Sequence, residues 1–506
     1  MTQVGLFTWI DYAIFAAYLI ASVSVGLLFI KEQRTIKDYF LAGRSMNSIL
    51  VGVSVLAALT SGISYLGGPG EVYAHGTGMA WYALSFFIAT PITTLIFVPF
   101  FYQARFYTAY QYLEERFSVQ VRVLSSSLFI VRVLLWLALV AYAPALALEQ
   151  VTGLPLWLTI VCTGVLTTFY TTLGGMKAVI WTDTLQFVVL FGGLIVILAV
   201  ALVQVPGGMT GAFEIGRAAG KLDVSFSLDP SIRITFAGLL VGSMFTNLVQ
   251  LATDQVAVQR YLTASSLREA KRALWIKLAL LLPVIAVVYS TGLVIFAFYH
   301  AQGEDPLAAG KISSPDQILP YFVVHELPVG LPGLLIAAIF AATMSATSSG
   351  LNALASATTV DFYQRLARAP RQGDEEQLRL ARRLTIAYGA LVIVLALVVH
   401  RLGTLAEASI KAVGLVGGPL LGMFLLGMLS RRVSATGAVI GWFAGVLALI
   451  PVAFGTGISF LWYAMIGCLA TMTVGWMASF IWGQPQSSEL DKLVVRRSPG
   501  GAQHLG

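Results

Sequence analysis

The chain has 506 residues, of which 58% are hydrophobic and only 11% charged. That balance excludes a soluble globular protein, which could not hide so much apolar surface, and points to an all-α polytopic membrane protein. The formal net charge of +7 is not a nucleic-acid signal, because the basic residues gather in short segments between apolar runs.

Apolar runs of about 20 residues or more are long enough to span a bilayer as helices, and the sequence predicts thirteen of them. Span 1 covers Phe7–Ile30. No positive n-region precedes it, since the first basic residue is Lys31, so no cleavable signal is expected. Spans 2 to 6 cover Asn47–Tyr73, Met79–Tyr102, Val121–Leu148, Leu156–Leu173 and Ala178–Val203. Spans 7 to 11 cover Ile234–Ala252, Ala273–Tyr299, Leu331–Thr359, Leu384–His400 and Ala408–Leu429. Spans 12 and 13 are Ala435–Phe454 and Phe460–Trp482. Cys162 and Cys468 both fall inside apolar runs, so no disulfide framework is implied.

Orientation follows from the basic residues. Lys31, Arg34, Lys37 and Arg44 follow span 1, and Arg105 and Arg116 follow span 3. Lys177 follows span 5. Arg260, Arg268, Lys271 and Arg272 follow span 7. Arg365, Arg368, Arg371, Arg379, Arg382 and Arg383 follow span 9. Arg431, Arg432, Lys492, Arg496 and Arg497 continue the series, whereas the other side carries few, among them Arg217, Lys221, Arg233, Lys311, Arg401 and Lys411. The N-terminus is therefore expected outside and the C-terminus in the cytoplasm.

Two spans read as interrupted. Span 2 runs from Gly52 through Thr60-Ser61-Gly62-Ile63-Ser64 to Gly67-Gly68-Pro69-Gly70, a sequence that weakens a regular helix. Span 7 exits through Thr246-Asn247-Leu248-Val249-Gln250 to Thr253-Asp254-Gln255, unusually polar for a helix in lipid. If spans 2–6 and 7–11 are two five-helix units, these are the first helices of each, and five being odd, the second unit is inverted. Interrupted helices at matching positions of two halves point to a transporter's binding site. Glycines that merely permit tight packing are the other reading.

Polar groups inside the spans are few. Asp183 and Gln186 share one face of span 6, Arg132 lies in span 4, and Ser345, Ser348 and Ser349 recur at i, i+3, i+4 in span 9 behind Ala342. Such hydroxyls either bond back to their own helix or offer oxygens to a hard cation. Asp183 reads either as a helix-start residue near an interface or as a buried carboxylate in need of a partner. Arg132 either snorkels or meets an anion. Lys277 and Lys411 stand near span ends and ask for no functional account. Glu71 and His75 are interfacial. No phosphate loop, metal-ligand spacing or nucleophile elbow is present, so an enzyme is not expected.

Several runs together resemble the sodium:solute symporter family. They are Gly174-Gly175-Met176-Lys177 through Trp181-Thr182-Asp183 to Gln186, and Gln259-Arg260-Tyr261. Ala338 through Ala342 to Ser345, and Gly417-Gly418-Pro419 through Gly422 to Phe424, complete the set. Tyr142-Ala143-Pro144-Ala145 through Gln150-Val151-Thr152-Gly153 resembles the iodide, monocarboxylate and multivitamin branch. The stretch from Leu319 to Leu366 is similar to bacterial sialic-acid symporters. The resemblance implies a LeuT-type 5+5 inverted-repeat fold with one extra helix before it and two after. The expected divisions are 1–46 for the first helix and its loop, 47–203 for the first repeat, and 204–233 for an extracellular loop. They continue with 234–430 for the second repeat, 431–483 for two last helices and 484–506 for a cytoplasmic tail.

It further implies Na+ as the coupling ion. By motif, the common sodium site uses carbonyls of Ala57, Thr60 and Ala342 and the hydroxyl of Ser345. The second hydroxyl usual in the family is absent here, its position being Ala346. A second sodium site found in some members matches Asp183, Ser345, Ser348 and Ser349. Substrate is expected between spans 2, 3, 4, 7 and 11, against Ser61, Ser64, Met79, Ala83 and Gln250, with Arg132 available to an anion. Trp136 stands where the sialic-acid branch has its arginine, and the sugar branch's span-2 pattern is missing. These departures favour a small organic anion, with inorganic anions and neutral solutes open. The protein is expected to act as a monomer in the cell (inner) membrane, its partners being substrate, sodium and lipid and not nucleic acid. A transporter-like sensor is the alternative from another class, and the tail expected after span 13 is short for a signalling domain.

Overall fold

The structure is a computed structural model, and it describes residues 8–366, 373–399, 404–482 and Val494, without the side chains of 150–151 and 404–414. Arg368, Arg371, His400, Arg401 and the tail from 484, Val494 apart, lie outside the described residues, as does the side chain of Lys411. Within them the chain is almost entirely helical. This is what lipid demands of an apolar chain, because a helix satisfies its backbone donors and acceptors internally.

We number the principal helices α1 to α14. α1 (Trp9–Leu27) opens with Thr8 and Asp11 in a reciprocal cap. α2 (Ser48–Leu59) and α3 (Gly62–His75) follow end to end, bent by 65°. α4 is Thr77–Gln103, α5 is Val119–Thr152 and α6 is Leu156–Gln204. α7 is Gly238–Thr253, α8 is the short Gln255–Tyr261 and α9 is Leu267–Gln302. α10 is Leu331–Leu366 and α11 Asp374–Val398. α12 is Thr404–Leu429, α13 Ala435–Gly455 and α14 Phe460–Trp482. Among the described residues nine helices are long and apolar enough to cross a membrane, and the bent α2–α3 pair makes a tenth.

α6 is the longest. Its 49 residues would stretch about 73 Å if straight, roughly twice a bilayer's hydrocarbon core. It does not run straight, because Gly175 breaks it with φ 56°, ψ −156°, a conformation that only glycine enters freely. A Cβ there would also lie 2.7 Å from Gln33 Oε1.

α10 is the pillar around which the others stand. Over Leu331–Ala357 nearly every residue is buried. Small residues make that possible, letting α6, α5 and α1 approach closely. Asp11 of α1 accepts bonds from the N–H groups of Gly330 (3.0 Å) and Gly333 (2.8 Å), docking α1 on the start of α10. The exposed large side chains, such as Ile20, Val188, Leu447 and Phe480, are apolar and suit lipid.

Candidate functional site

Both interruptions expected from the sequence are present. α2 ends at Leu59, and Thr60 (φ −100°, ψ 95°) and Ser61 (φ −89°, ψ 167°) are extended before α3 begins. The Thr60 N–H reaches the carbonyls of Leu56 and Ala57 at 3.1 Å each, and its hydroxyl donates to Leu56 O at 2.9 Å. A helix that stops inside the protein leaves its last carbonyls short of donors, and these oxygens suit a hard cation. α7 likewise stops at Thr253, and Asp254 (φ −82°, ψ 119°) turns the chain into α8. Asp254 accepts from the N–H of Val256 at 3.0 Å and from the Arg132 guanidinium of α5 at 2.5 Å.

α10 presents two different faces to these breaks. Thr343 faces the first. It is 4% exposed, and its hydroxyl finds no hydrogen-bond partner among the described residues. That oxygen stands 2.7 Å from where a Cβ on Gly62 would be, so only glycine lets it come so close to the start of α3. The position is one turn from Ala346, on the same side of the helix. Ser345 points elsewhere, donating to Asp183 Oδ1 at 2.7 Å.

Asp183, in the second half of α6, is completely buried in a cluster drawn from four helices. Ser54 of α2 donates to its Oδ2 at 2.5 Å, and Arg260 of α8 does so at 3.0 Å. Arg260 also donates to Ser54 Oγ (2.9 Å), to Val256 O (2.7 Å) and to Ser349 Oγ of α10. Ser348 and Ser349 donate back to Ser345 O at 3.0 and 2.5 Å. Asp183 thus sits well inside its helix and does not cap it. Ser345 does face it, while Ser348 and Ser349 bond to their own helix.

Arg260 corrects the sequence reading. The sequence places it among cytoplasmic loop charges, yet it is fully buried and pairs with Asp183, the carboxylate expected to meet an ion. Its motif, Gln259-Arg260-Tyr261, was visible, but its direction was not. Gln259 beside it donates to Asn352 Oδ1 at 2.7 Å.

A cavity of about 330 Å³ opens beside the first break. It brings together Thr60, Ser64 and Met79 from the sequence set, with Tyr82, Leu281 and Tyr289. Arg233 holds Glu71 at its rim by two bonds of 2.7 and 2.8 Å. Ser61 does not line it; it is buried and caps α3, accepting from the Ser64 N–H at 3.5 Å. Ala57, Ala83 and Ala342 are buried, Gln250 is half-buried on α7, and Arg132 is engaged by Asp254 and not free for an anion.

Lys277 is the other correction. It does stand near the start of the expected span, in the first half of α9, but it is 1% exposed and its Nζ has no hydrogen-bond partner among the described residues. The face of Phe86 lies against it, 3.2 Å to the ring centroid. Burying a charge away from water is costly, and a ring face returns only about 0.5–2 kcal/mol of that cost.

A second buried carboxylate, Asp361, closes the far end of α10. It accepts from Thr108 (2.6 Å), Arg122 (2.8 Å) and Ser126. Arg122 continues to Glu114 at 2.6 Å, which Arg365 also meets at 2.5 Å. Burial pushes the Glu114 carboxyl up, but the bonds from Arg122 and Arg365 outweigh it and hold the group below its ordinary value. Little in the sequence marks this cluster, because Asp361 falls just past the expected end of span 9, Thr359.

Among known proteins, the family model described as "Sodium:solute symporter family" matches residues 39–445. The human sodium-coupled monocarboxylate transporter 1 is 36% identical over 461 residues, covering 90% of this chain and 75% of that protein. The human sodium/iodide cotransporter is also 36% identical, over 455 residues, covering 88% and 70%. A Na+-coupled sialic acid symporter, solved substrate-bound and outward-open, has a TM-score of 0.86 at 31% identity and covers 94% of this chain and 98% of its own. A nucleobase-cation-symport-1 family transporter shares the fold alone, with a TM-score of 0.54 at 13% identity over 91% and 98%. With more than half of its length matched by the family model and these relatives at more than 30% identity, the chain belongs to the sodium:solute symporter family, and it is a membrane transporter of a small solute and not an enzyme.

Proposed function

We propose that the protein imports a small organic anion of the monocarboxylate class together with sodium, by alternating access. The observation that carries this reading is the broken α2–α3 helix, whose extended Thr60 lines the cavity and whose Gly62 meets the unpartnered Thr343 hydroxyl. A monocarboxylate transporter at 36% identity over 90% of the chain supports the solute class. The common sodium site uses Ala57, Thr60 and Ala342, with Thr343 supplying the hydroxyl that Ala346 lacks, and Ser345, whose hydroxyl donates to Asp183 here, must turn from Asp183 to join it. The second uses Asp183, Ser345, Ser348 and Ser349, and sodium enters it in competition with the Arg260 guanidinium. Ser61, Ser64, Met79, Ala83 and Gln250 surround the solute path, and Arg132 steadies its floor through Asp254.

In the architecture we infer, thirteen spans arise when α6 counts as two at Gly175, α2–α3 as one, and α7 and α12 are included. Residues 47–203 and 234–430 then form the inverted 5+5 repeats, supported by interruptions in the first helix of each. The N-terminus lies outside and the C-terminus in the cytoplasm of the cell membrane, and the monomer is the working unit. An iodide cotransporter of equal identity keeps an inorganic anion as the second reading. Counterflow in proteoliposomes separates the two. Radiolabelled pyruvate exchanging only with sodium present supports the first, and iodide exchanging while pyruvate does not supports the second. If neither exchanges while sodium still stabilises the protein, a sensor is favoured instead.

A further inference from the structure

Lys277 places an amine in the layer directly beneath the solute cavity. On α9 the cavity is lined by Leu281, Val284 and Val288, and Lys277 is one turn deeper than Leu281. On α4, which descends from the cavity mouth, Met79 and Tyr82 line it, and Phe86 is one turn deeper than Tyr82. The two residues meet, Nζ against the ring face at 3.2 Å. Ser85, next to Phe86, accepts from Asn247 of α7 at 2.6 Å, so the same layer abuts the second interrupted helix.

Among the described residues, the other buried cations and the half-buried Arg132 have partners. Arg260 meets Asp183, Arg122 meets Asp361 and Glu114, and Arg132 meets Asp254. Arg116 donates to the carbonyls of Gly427 and Ser430. Lys277 has no hydrogen bond among the described residues, and a ring face offsets only part of what its burial costs. An amine with its hydrogen-bonding capacity unused, one turn from a cavity, has room in its bonding for a ligand that enters from that cavity.

We propose that Lys277 is the counter-charge of the transported anion. The carboxylate, or a monovalent inorganic anion, descends from the cavity past Leu281 and Tyr82 to the Nζ of Lys277 as the Phe86 side chain swings aside. Lys277 thereby makes the transporter prefer an anion to a neutral solute of the same shape. This rests on the anion reading above and names the residue that enforces it.

The test compares the full-length wild type with Lys277→Met and Lys277→Arg in proteoliposomes, measuring sodium-driven uptake of radiolabelled pyruvate, with pyruvamide as a neutral competitor. The wild type is expected to be inhibited far more weakly by pyruvamide than by unlabelled pyruvate. Lys277→Met is expected to raise the pyruvate KM about tenfold or more and to narrow that preference. Its dependence on sodium concentration should be unchanged, and Lys277→Arg should keep the preference. An unchanged KM and preference in Lys277→Met overturns the inference alone. So does equal loss of transport and thermal stability in both variants, which marks a packing role. No sodium-stimulated uptake of pyruvate, lactate or iodide by the wild type overturns the anion reading and this inference with it.

Discussion

Asp183 and Arg260 share a buried site in which either one alone is costly. Removing one partner of a buried ion pair typically costs about 3–5 kcal/mol, because the other charge is left uncompensated. Arg260→Gln is therefore expected to lower the melting temperature in sodium-free buffer. On the proposal that sodium competes with the guanidinium for Asp183, added sodium should stabilise this variant by more than it stabilises the wild type. A melting temperature that drops equally with and without sodium would contradict the competition. Thr343→Val keeps the shape and deletes the unpartnered hydroxyl. It is expected to raise the sodium concentration for half-maximal uptake about tenfold with little loss of stability, since no internal hydrogen bond is broken. An unaltered sodium curve removes Thr343 from the site. These residues also mark the limit of single-residue reading. The stripe of Ser345, Ser348 and Ser349 was legible, but which hydroxyl turned outward was not, because back-bonding and ligation use the same spacing. Arg260 is misplaced by the sequence because a cation eight residues beyond a span's expected end, Ala252, looks the same as a loop charge until the short α8 folds it inward.

At the scale of helices, the two interruptions were legible because they are made of local chemistry. Gly52, Thr60-Ser61-Gly62 and the Gly67–Gly70 run weaken one helix, and Asp254 stops the other with its own cap. Partnerships across helices were not legible, since nothing near Arg132 in sequence predicts that Asp254, 122 residues away, will meet it. That pair ties α5 to the break of α7. Arg132→Met is expected to reduce stability by about 3 kcal/mol and to loosen the break, detectable as faster hydrogen exchange at residues 253–256. Unchanged exchange there would make the pair incidental. The α3–α9 packing offers a second test. A Cβ on Gly292 would lie 2.6 Å from Pro69 O and 2.7 Å from Val72 Cβ, so Gly292→Ala must push α3 aside. Overpacking of this kind costs about 1–3 kcal/mol, read as a lower melting temperature. No shift would show that α3 moves freely against α9.

For the whole molecule, composition alone dictated the class, because lipid leaves an apolar chain no alternative to helices. The order of helices was also legible, and the gap expected between spans 5 and 6 falls at Gly175, where the non-helical backbone breaks α6. What composition could not supply is the coupling between parts. α10 touches the first break through Thr343, the Asp183 cluster through Ser345 and Ser349, and the Asp361 cluster at its far end. One helix therefore touches both proposed ion sites and the end cluster, a continuity that coupling between ion and solute can use. The most direct measurement is pyruvate uptake into proteoliposomes against sodium concentration, for the wild type and for Asp183→Asn. Sodium-driven uptake by the wild type, with sodium stimulation lost or shifted about tenfold in Asp183→Asn, is the expected result. Uptake by Asp183→Asn with the wild-type dependence on sodium would contradict the account.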